Sequence, residues 1–193
     1  LTNNVLDKYN IKSVFFITEN FIQLKVNEVE DYCKKYFFPN SELKSYEPEA
    51  LYPMSWTDLK NLVNNGHIIG GHGKSHIRLS NIQDKVILYD EIVGSADRIE
   101  KRLKIKLNCF AFPFGGVEDI HMPAFILAKK RFKFIFSNIR GYINESPSNQ
   151  FIYRQNMVAK DPNWLVKIIA EGRLDWLYNK DRLNSLIFSS NAI

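Results

Sequence analysis

A regular alternation of short apolar runs with longer amphipathic stretches restricts the fold more than any other feature of this chain. Residues 12–17 (Lys-Ser-Val-Phe-Phe-Ile), 67–71, 107–112, 132–136 and 150–153 read as strands, each rich in β-branched or aromatic residues. Between them the apolar positions recur at helical spacing. The pattern predicts helices over 2–9, 26–36, a span from Ser55 to Asn65, a long one from Asn81 or Asp84 to Lys104, then 123–131 and 163–177. Ser55 is placed to cap its helix, with Asp58 three residues on and Gly66 as the stop. In the long helix Val86, Ile87, Ile92, Ile99 and Leu103 fall largely on one stripe. Strands alternating with helices imply βα units around a largely parallel sheet or barrel. There is no internal repeat, low-complexity tract or linker, so residues 1–193 read as one domain.

Composition narrows the class further. Hydrophobic residues make up 45% of the 193, enough to build a core, and no apolar stretch approaches the roughly 18 residues a membrane helix needs. The net charge of +5 comes from 26 basic and 21 acidic side chains, intermixed along helical patterns. The densest basic run, 129–133, is broken by Phe132. A solvated helix end accounts for it, so no nucleic-acid partner is expected. Two cysteines, Cys33 and Cys109, are too few for a disulfide framework or a Cys-x-x-Cys zinc site. They read as small buried hydrophobes in a reducing, cytoplasmic setting. A signal peptide ahead of Leu1 would instead imply a secreted or periplasmic one.

Two segments follow predicted strands, where βα architectures carry their active sites. In Gly70-Gly71-His72-Gly73-Lys74-Ser75-His76 two imidazoles stand four apart, as on one face of a helical turn. Imidazole ligates zinc and also suits cobalt, nickel and iron, although the same spacing also arises in capping or surface histidines. In Phe110-Ala111-Phe112-Pro113-Phe114-Gly115-Gly116 an apolar strand runs into a tight turn that leaves amide N–H groups pointing outward. Alone, this is better explained by a strand end with a turn, and its aromatic residues fit core packing as easily as a sugar-stacking surface.

Together these segments resemble the polysaccharide deacetylases, the NodB-homology domain of carbohydrate esterase family four. The stretches from Met54 to Leu59 and from Gly66 to Ser80 are similar to that family's second motif. The run from Phe110 to Gly115 is similar to its third, with an aromatic residue where many members have arginine, and the run from Lys8 to Ile17 to its first helix end and second strand. The resemblance implies a deformed (β/α) barrel, here without its first strand. It also implies one divalent metal, zinc before cobalt, nickel or iron, and hydrolysis of N-acetyl or sometimes O-acetyl groups on a cell-surface glycan or its precursor. His72 and His76 match the two imidazole ligands. The backbone N–H of Phe114 matches the oxyanion donor, and Phe112, Pro113, Phe114 and Gly115 match the acetyl-pocket wall.

Several family positions have no counterpart. The Thr-Phe-Asp-Asp motif, which supplies the base and the carboxylate ligand, is missing; Asp7 falls inside the first predicted helix. The last histidine is His121, so none stands where the late acid histidine would be. Ser137-Asn138 occupies the place of an acidic motif, and Asp175-Trp176 falls in the closing helix. Arg154 either offers a charge at the barrel mouth or is a surface arginine. The chain thus reads as a fragment beginning after the first strand or as a degenerate relative. A non-catalytic barrel that binds glycan is the alternative reading.

Overall fold

The computed structural model describes residues 5–38, 52–141, 151–157 and 161–189, the last four of these in backbone only. The start of the first predicted helix, the segment carrying Pro39 and Pro48 and the loop with Pro147 lie outside the described residues. Five strands, β1 (Val14–Ile17), β2 (Ile68–Gly71), β3 (Cys109–Ala111), β4 (Phe134–Phe136) and β5 (Phe151–Ile152), form one sheet in sequence order. All four pairings are parallel, with Val14 opposite Ile68, Gly71 opposite Phe110, Ala111 opposite Phe136 and Phe136 opposite Ile152. Sequential parallel order with helical crossovers is the arc of a βα barrel, and it brings all five strand C-termini to one end.

Each strand is shorter than its apolar run because ladder pairing ends before apolar burial does. Leu107 and Phe112, for example, are fully buried yet flank β3. Helices α1 (Glu19–Ile22), α2 (Val29–Tyr32), α3 (Trp56–Asn64), α4 (Lys85–Tyr89), α5 (Ser95–Leu103), α6 (Met122–Arg131), α7 (Asn163–Ala170) and α8 (Asn179–Ser189) occupy the connections. Phe110 stacks on Phe132 at 5.0 Å between ring centroids and meets Phe112 edge-on at 5.3 Å, so the aromatic run of β3 forms the centre of the core. Cys33 and Cys109 are buried free thiols whose pKa values burial raises.

Three helices depart from the simple pattern. A π-turn over Asp90–Gly94 joins α4 to α5, and its extra residue shifts the helical phase. Val86 and Ile87 consequently face solvent, whereas Leu88, Ile92, Ile99 and Leu103 are buried and Glu91 is carried inward. The expected helix over 26–36 is a 3₁₀ turn (Val26–Glu28), α2 and a π-turn (Cys33–Phe37). The closing helix breaks at Gly172, which takes φ +70°, and the chain resumes as a 3₁₀ turn (Asp175–Tyr178) running into α8. The capping box at Ser55 is present as expected: Ser55 Oγ accepts the Asp58 N–H at 3.2 Å, and Asp58 Oδ2 accepts the Ser55 N–H at 2.8 Å.

Candidate functional site

His72 and His76 meet at the C-terminal end of the sheet, their ring centroids 4.9 Å apart. The intervening residues do not form the helical turn that the i, i+4 spacing predicts. Gly73 (φ +80°) and His76 (φ +60°) are both left-handed, and this loop curls the two rings together. For a histidine that conformation costs energy and persists only where neighbours enforce it.

Those neighbours come from three separate elements. At the start of α1 the Glu19 and Asn20 N–H groups donate to the Gly73 and Lys74 carbonyls at 3.2 and 2.9 Å. From α2 the Tyr32 hydroxyl donates to the Ser75 carbonyl at 2.9 Å, and burial, followed by the nearby Tyr36 and Glu91, raises its pKa so that it stays protonated. From the π-turn the Glu91 carboxylate accepts the Lys74 and Ser75 N–H groups, both at 3.0 Å. Lys74 also pairs with Asp90 at 2.7 Å; Arg98 bonds Asp90 at 2.7 Å and grips the buried Glu19 with two bonds of 2.7 and 2.8 Å. None of these clamps stands out in the sequence, because α1 is only four residues long and the inward turn of Glu91 follows from the π-turn.

Each imidazole has one ring nitrogen committed to a backbone carbonyl. The Nδ1–H of His72 donates to the Ala111 carbonyl at 2.8 Å and that of His76 to the Tyr36 carbonyl at 2.9 Å, and neither Nε2 has a hydrogen-bond partner among the described residues. Burial, then His76 and Arg154, pull the His72 pKa down to about 3, and burial also lowers that of His76. Both rings are therefore neutral at physiological pH, as ligands must be. Two imidazoles fit two positions of a zinc-like site, whereas a catalytic site needs three protein ligands. No cluster of three His, Cys, Asp or Glu side chains that could hold a metal occurs among the described residues. Asp7, the acidic residue preceding β1, faces elsewhere: its carboxylate lies 3.3 Å from His67 Nε2 and 3.5 Å from Lys12 Nζ.

The second segment reaches the same end of the sheet. Phe114 takes φ +60° and Gly115 φ +71°, and the Gly115 N–H closes a three-residue turn onto the Pro113 carbonyl at 2.7 Å. A Cβ on Gly115 would lie 2.8 Å from the Asn138 backbone nitrogen, so only glycine fits. The Phe114 ring packs on His76 at 4.9 Å, and its N–H donates to no acceptor among the described residues. Arg78 lies 4.4 Å over that ring and pairs with the buried Asp119, whose other oxygen accepts the Gly116 N–H at 2.9 Å. Phe112 and Pro113 are wholly buried, Phe112 in the core, so they support the turn from beneath.

Arg154 is not a surface side chain. It is partly buried, its Nε donates to the Ser137 carbonyl at 2.6 Å, its guanidinium lies 5.4 Å over Phe16, and burial lowers its pKa. Its positive charge contributes to keeping His72 neutral. Asp175 is buried and accepts a bond from Gln155 at 2.7 Å, so it packs the barrel end, while Trp176 is exposed.

A cavity of about 390 Å³ opens beside the imidazoles. Among the described residues Phe16, Phe21, Ile22, Phe37, Phe38 and Met54 line it together with His72 and His76. The excursion between β1 and α3 thus supplies most of the wall.

The sequence profile of the polysaccharide deacetylases matches residues 2–128, which include both histidines and the Phe114 turn. The chain belongs to the polysaccharide deacetylase family. Its structure is similar to that of a de-N-acetylase from Aggregatibacter actinomycetemcomitans, at 14% identity and TM-score 0.63 over 88% of this chain and 69% of that one. It is also similar to the Streptococcus pyogenes deacetylase PplD in complex with acetate (14%, TM-score 0.61, 85% and 61%) and to IcaB from Ammonifex degensii (17%, TM-score 0.58, 86% and 64%). At these identities the likeness establishes the fold, and the chain spans less than two thirds of the latter two proteins. No curated protein matches the sequence. No helix among the described residues is long and apolar enough to cross a membrane.

Proposed function

We propose that this chain is the core of a metal-dependent deacetylase that hydrolyses the acetamido C–N bond of an amino-sugar polymer, a cell-surface glycan or its precursor. The observation that carries the proposal is the pair of neutral imidazoles whose Nδ1–H groups are tied to backbone carbonyls and whose Nε2 atoms have no partner among the described residues. His72 and His76 would hold the ion, with zinc the best match to imidazole donors. When bound, a divalent ion supplies Lewis acidity for the acyl carbonyl and makes water acidic enough to act near neutral pH. The Phe114 N–H, on a turn fixed by Gly115 and by the Arg78–Asp119 pair, would donate to the oxygen on which negative charge develops. Arg154 would favour the same charge from the His72 side. In this reading Phe114 and Gly115 border the acyl group, while Phe112 and Pro113 hold them from below.

The engagement of Asp7 with His67 and Lys12 favours a second reading, a glycan-binding barrel without catalysis. One assay separates the two. Acetate release from N-acetylated chito-oligosaccharides is measured with metal content, before and after chelation, for the protein and for His72→Ala and His76→Ala. The proposal requires release that falls at least a hundredfold in both variants together with bound metal. Oligosaccharide binding without any release, indifferent to chelator, would establish the second reading instead.

A further inference from the structure

The cavity beside His72 and His76 is much larger than an acetyl group requires and is lined for a different kind of substituent. An acetyl carries a single methyl beyond its carbonyl. A cavity of about 150 Å³ already holds a benzene molecule, and this one is about 390 Å³. Its chemistry is equally specific. Phe21, Ile22, Phe37, Phe38 and Met54 present carbon to the interior. The Thr18 hydroxyl is directed at the His72 carbonyl, and both imidazole Nδ1 atoms are committed to carbonyls. Tyr52 is half-exposed at the mouth. Among the described residues few polar groups in this lining remain to meet the hydroxyls of a pyranose ring, whereas an alkyl chain needs none. His72 and His76 both line this space, so a carbonyl held by them would have apolar volume next to it.

We infer that the site takes N-acyl amino sugars whose acyl chain is longer than acetyl, with the alkyl tail in the cavity and the sugar outside it. This rests on the metal-dependent amide hydrolysis proposed above and specifies the acyl group, longer than acetyl, that the site accepts. The reaction is hydrolysis of the amide: the oxygen of water bonds to the carbonyl carbon, the C–N bond breaks, and both of water's protons end on the leaving nitrogen, which already carries one hydrogen. The products are a fatty carboxylate and the free ammonium sugar.

The test uses the zinc-loaded protein and chitotriose carrying N-acetyl, N-butyryl or N-hexanoyl groups, measuring both binding by calorimetry and release of the carboxylate. Burying a methylene is worth about fourfold in affinity, so butyryl should exceed acetyl roughly tenfold or more in binding and, where turnover occurs, in kcat/KM. Filling the cavity with Ile22→Trp, or with Met54→Trp at its more exposed rim should the first fail to fold, should flatten the dependence on chain length. Acetate release with no gain from longer chains would overturn this inference and leave the deacetylase reading standing. Chain-length-dependent binding that the tryptophans abolish, without hydrolysis of any substrate, would support the cavity assignment while the catalytic reading fell. Equal weak binding of all three, unchanged by either tryptophan, would overturn the inference.

Discussion

Removing the Glu91 side chain tests whether the histidine loop is held from outside or holds itself. Its carboxylate is 3% exposed and one oxygen, Oε2, accepts the N–H groups of both Lys74 and Ser75. Glu91→Ala leaves those two donors without their acceptor. A hydrogen bond to a charged group contributes about 1.5–3 kcal/mol. Two together would give roughly 3–6, from which the cost of burying the carboxylate must be subtracted, so about 3 kcal/mol is expected. For a chain of this length that lowers the melting temperature by roughly 6–12 °C. Glu91→Gln retains an oxygen acceptor and loses only the charge; since charge-assisted bonds are about twice as strong as neutral ones, it should cost about half as much. Urea denaturation gives both values. The His76 ring resonances report locally, because among the described residues Glu91 alone accepts the Lys74 and Ser75 amides that precede the left-handed His76 (φ +60°). An alanine variant within 0.5 kcal/mol of the parent, with unmoved His76 resonances, would refute the idea that the π-turn secures the loop.

Other expectations follow from the same contacts. Arg98→Met strips the buried Glu19 of both guanidinium bonds and should cost about 2 kcal/mol after discounting for the half-exposed arginine, with Glu19→Gln in the same chain recovering part of it; a double-mutant cycle measures the coupling. Gly115→Ala combines a left-handed φ of +71° with a Cβ 2.8 Å from the Asn138 nitrogen and should cost about 2–3 kcal/mol by denaturation, whereas a change under 0.5 would show that the turn yields freely. At the start of α3 the Ser55 hydroxyl, then its backbone N–H, hold the Asp58 carboxyl below its ordinary 3.8. Its contribution is therefore complete above that value and disappears as the pH falls through the lower folded-state pKa, a dependence that Asp58→Asn should remove from a pH–stability profile.

The alternation of apolar and amphipathic runs was enough to place the five strands, because strand pairing and helix burial follow the same periodicities that the residues display. It was misleading where a local rule gave way to a long-range one. The stripe through Val86 and Ile87 assumes an unbroken α-helix, and the π-turn at Asp90–Gly94 rotates those residues outward. Gly172 ends a helix that the apolar pattern carries through to residue 177, because its φ of +70° suits a helix C-terminus. Asp7 reads as a helix residue with nothing to reach. Its partner His67 stands sixty residues away and is brought to it only by the pairing of β1 with β2. The Asp119 that secures the Phe114 turn sits in a 3₁₀ turn over Val117–Asp119 that the sequence pattern does not announce.

The histidine pair shows why the site was legible in composition but not in conformation. Two imidazoles four apart suggest a helical turn, since a helix juxtaposes i and i+4 with no help from the rest of the chain. Here the same juxtaposition is reached by a loop with left-handed residues at Gly73 and His76, a conformation the local sequence does not favour. It is stable because α1, the Val26–Phe37 region and the π-turn each contribute hydrogen bonds, with partners 16 to 55 residues distant in sequence. The same elements do a second job. Tyr36 supplies the carbonyl that fixes the His76 tautomer, and Phe21, Ile22 and Phe37 wall the adjoining cavity. The orientation of the His76 ring and the shape of the cavity therefore depend on the same segment, residues 18–38. Substitutions in that segment that enlarge or fill the cavity should also move the His76 ring, and imidazole resonances unchanged across such variants would refute the coupling.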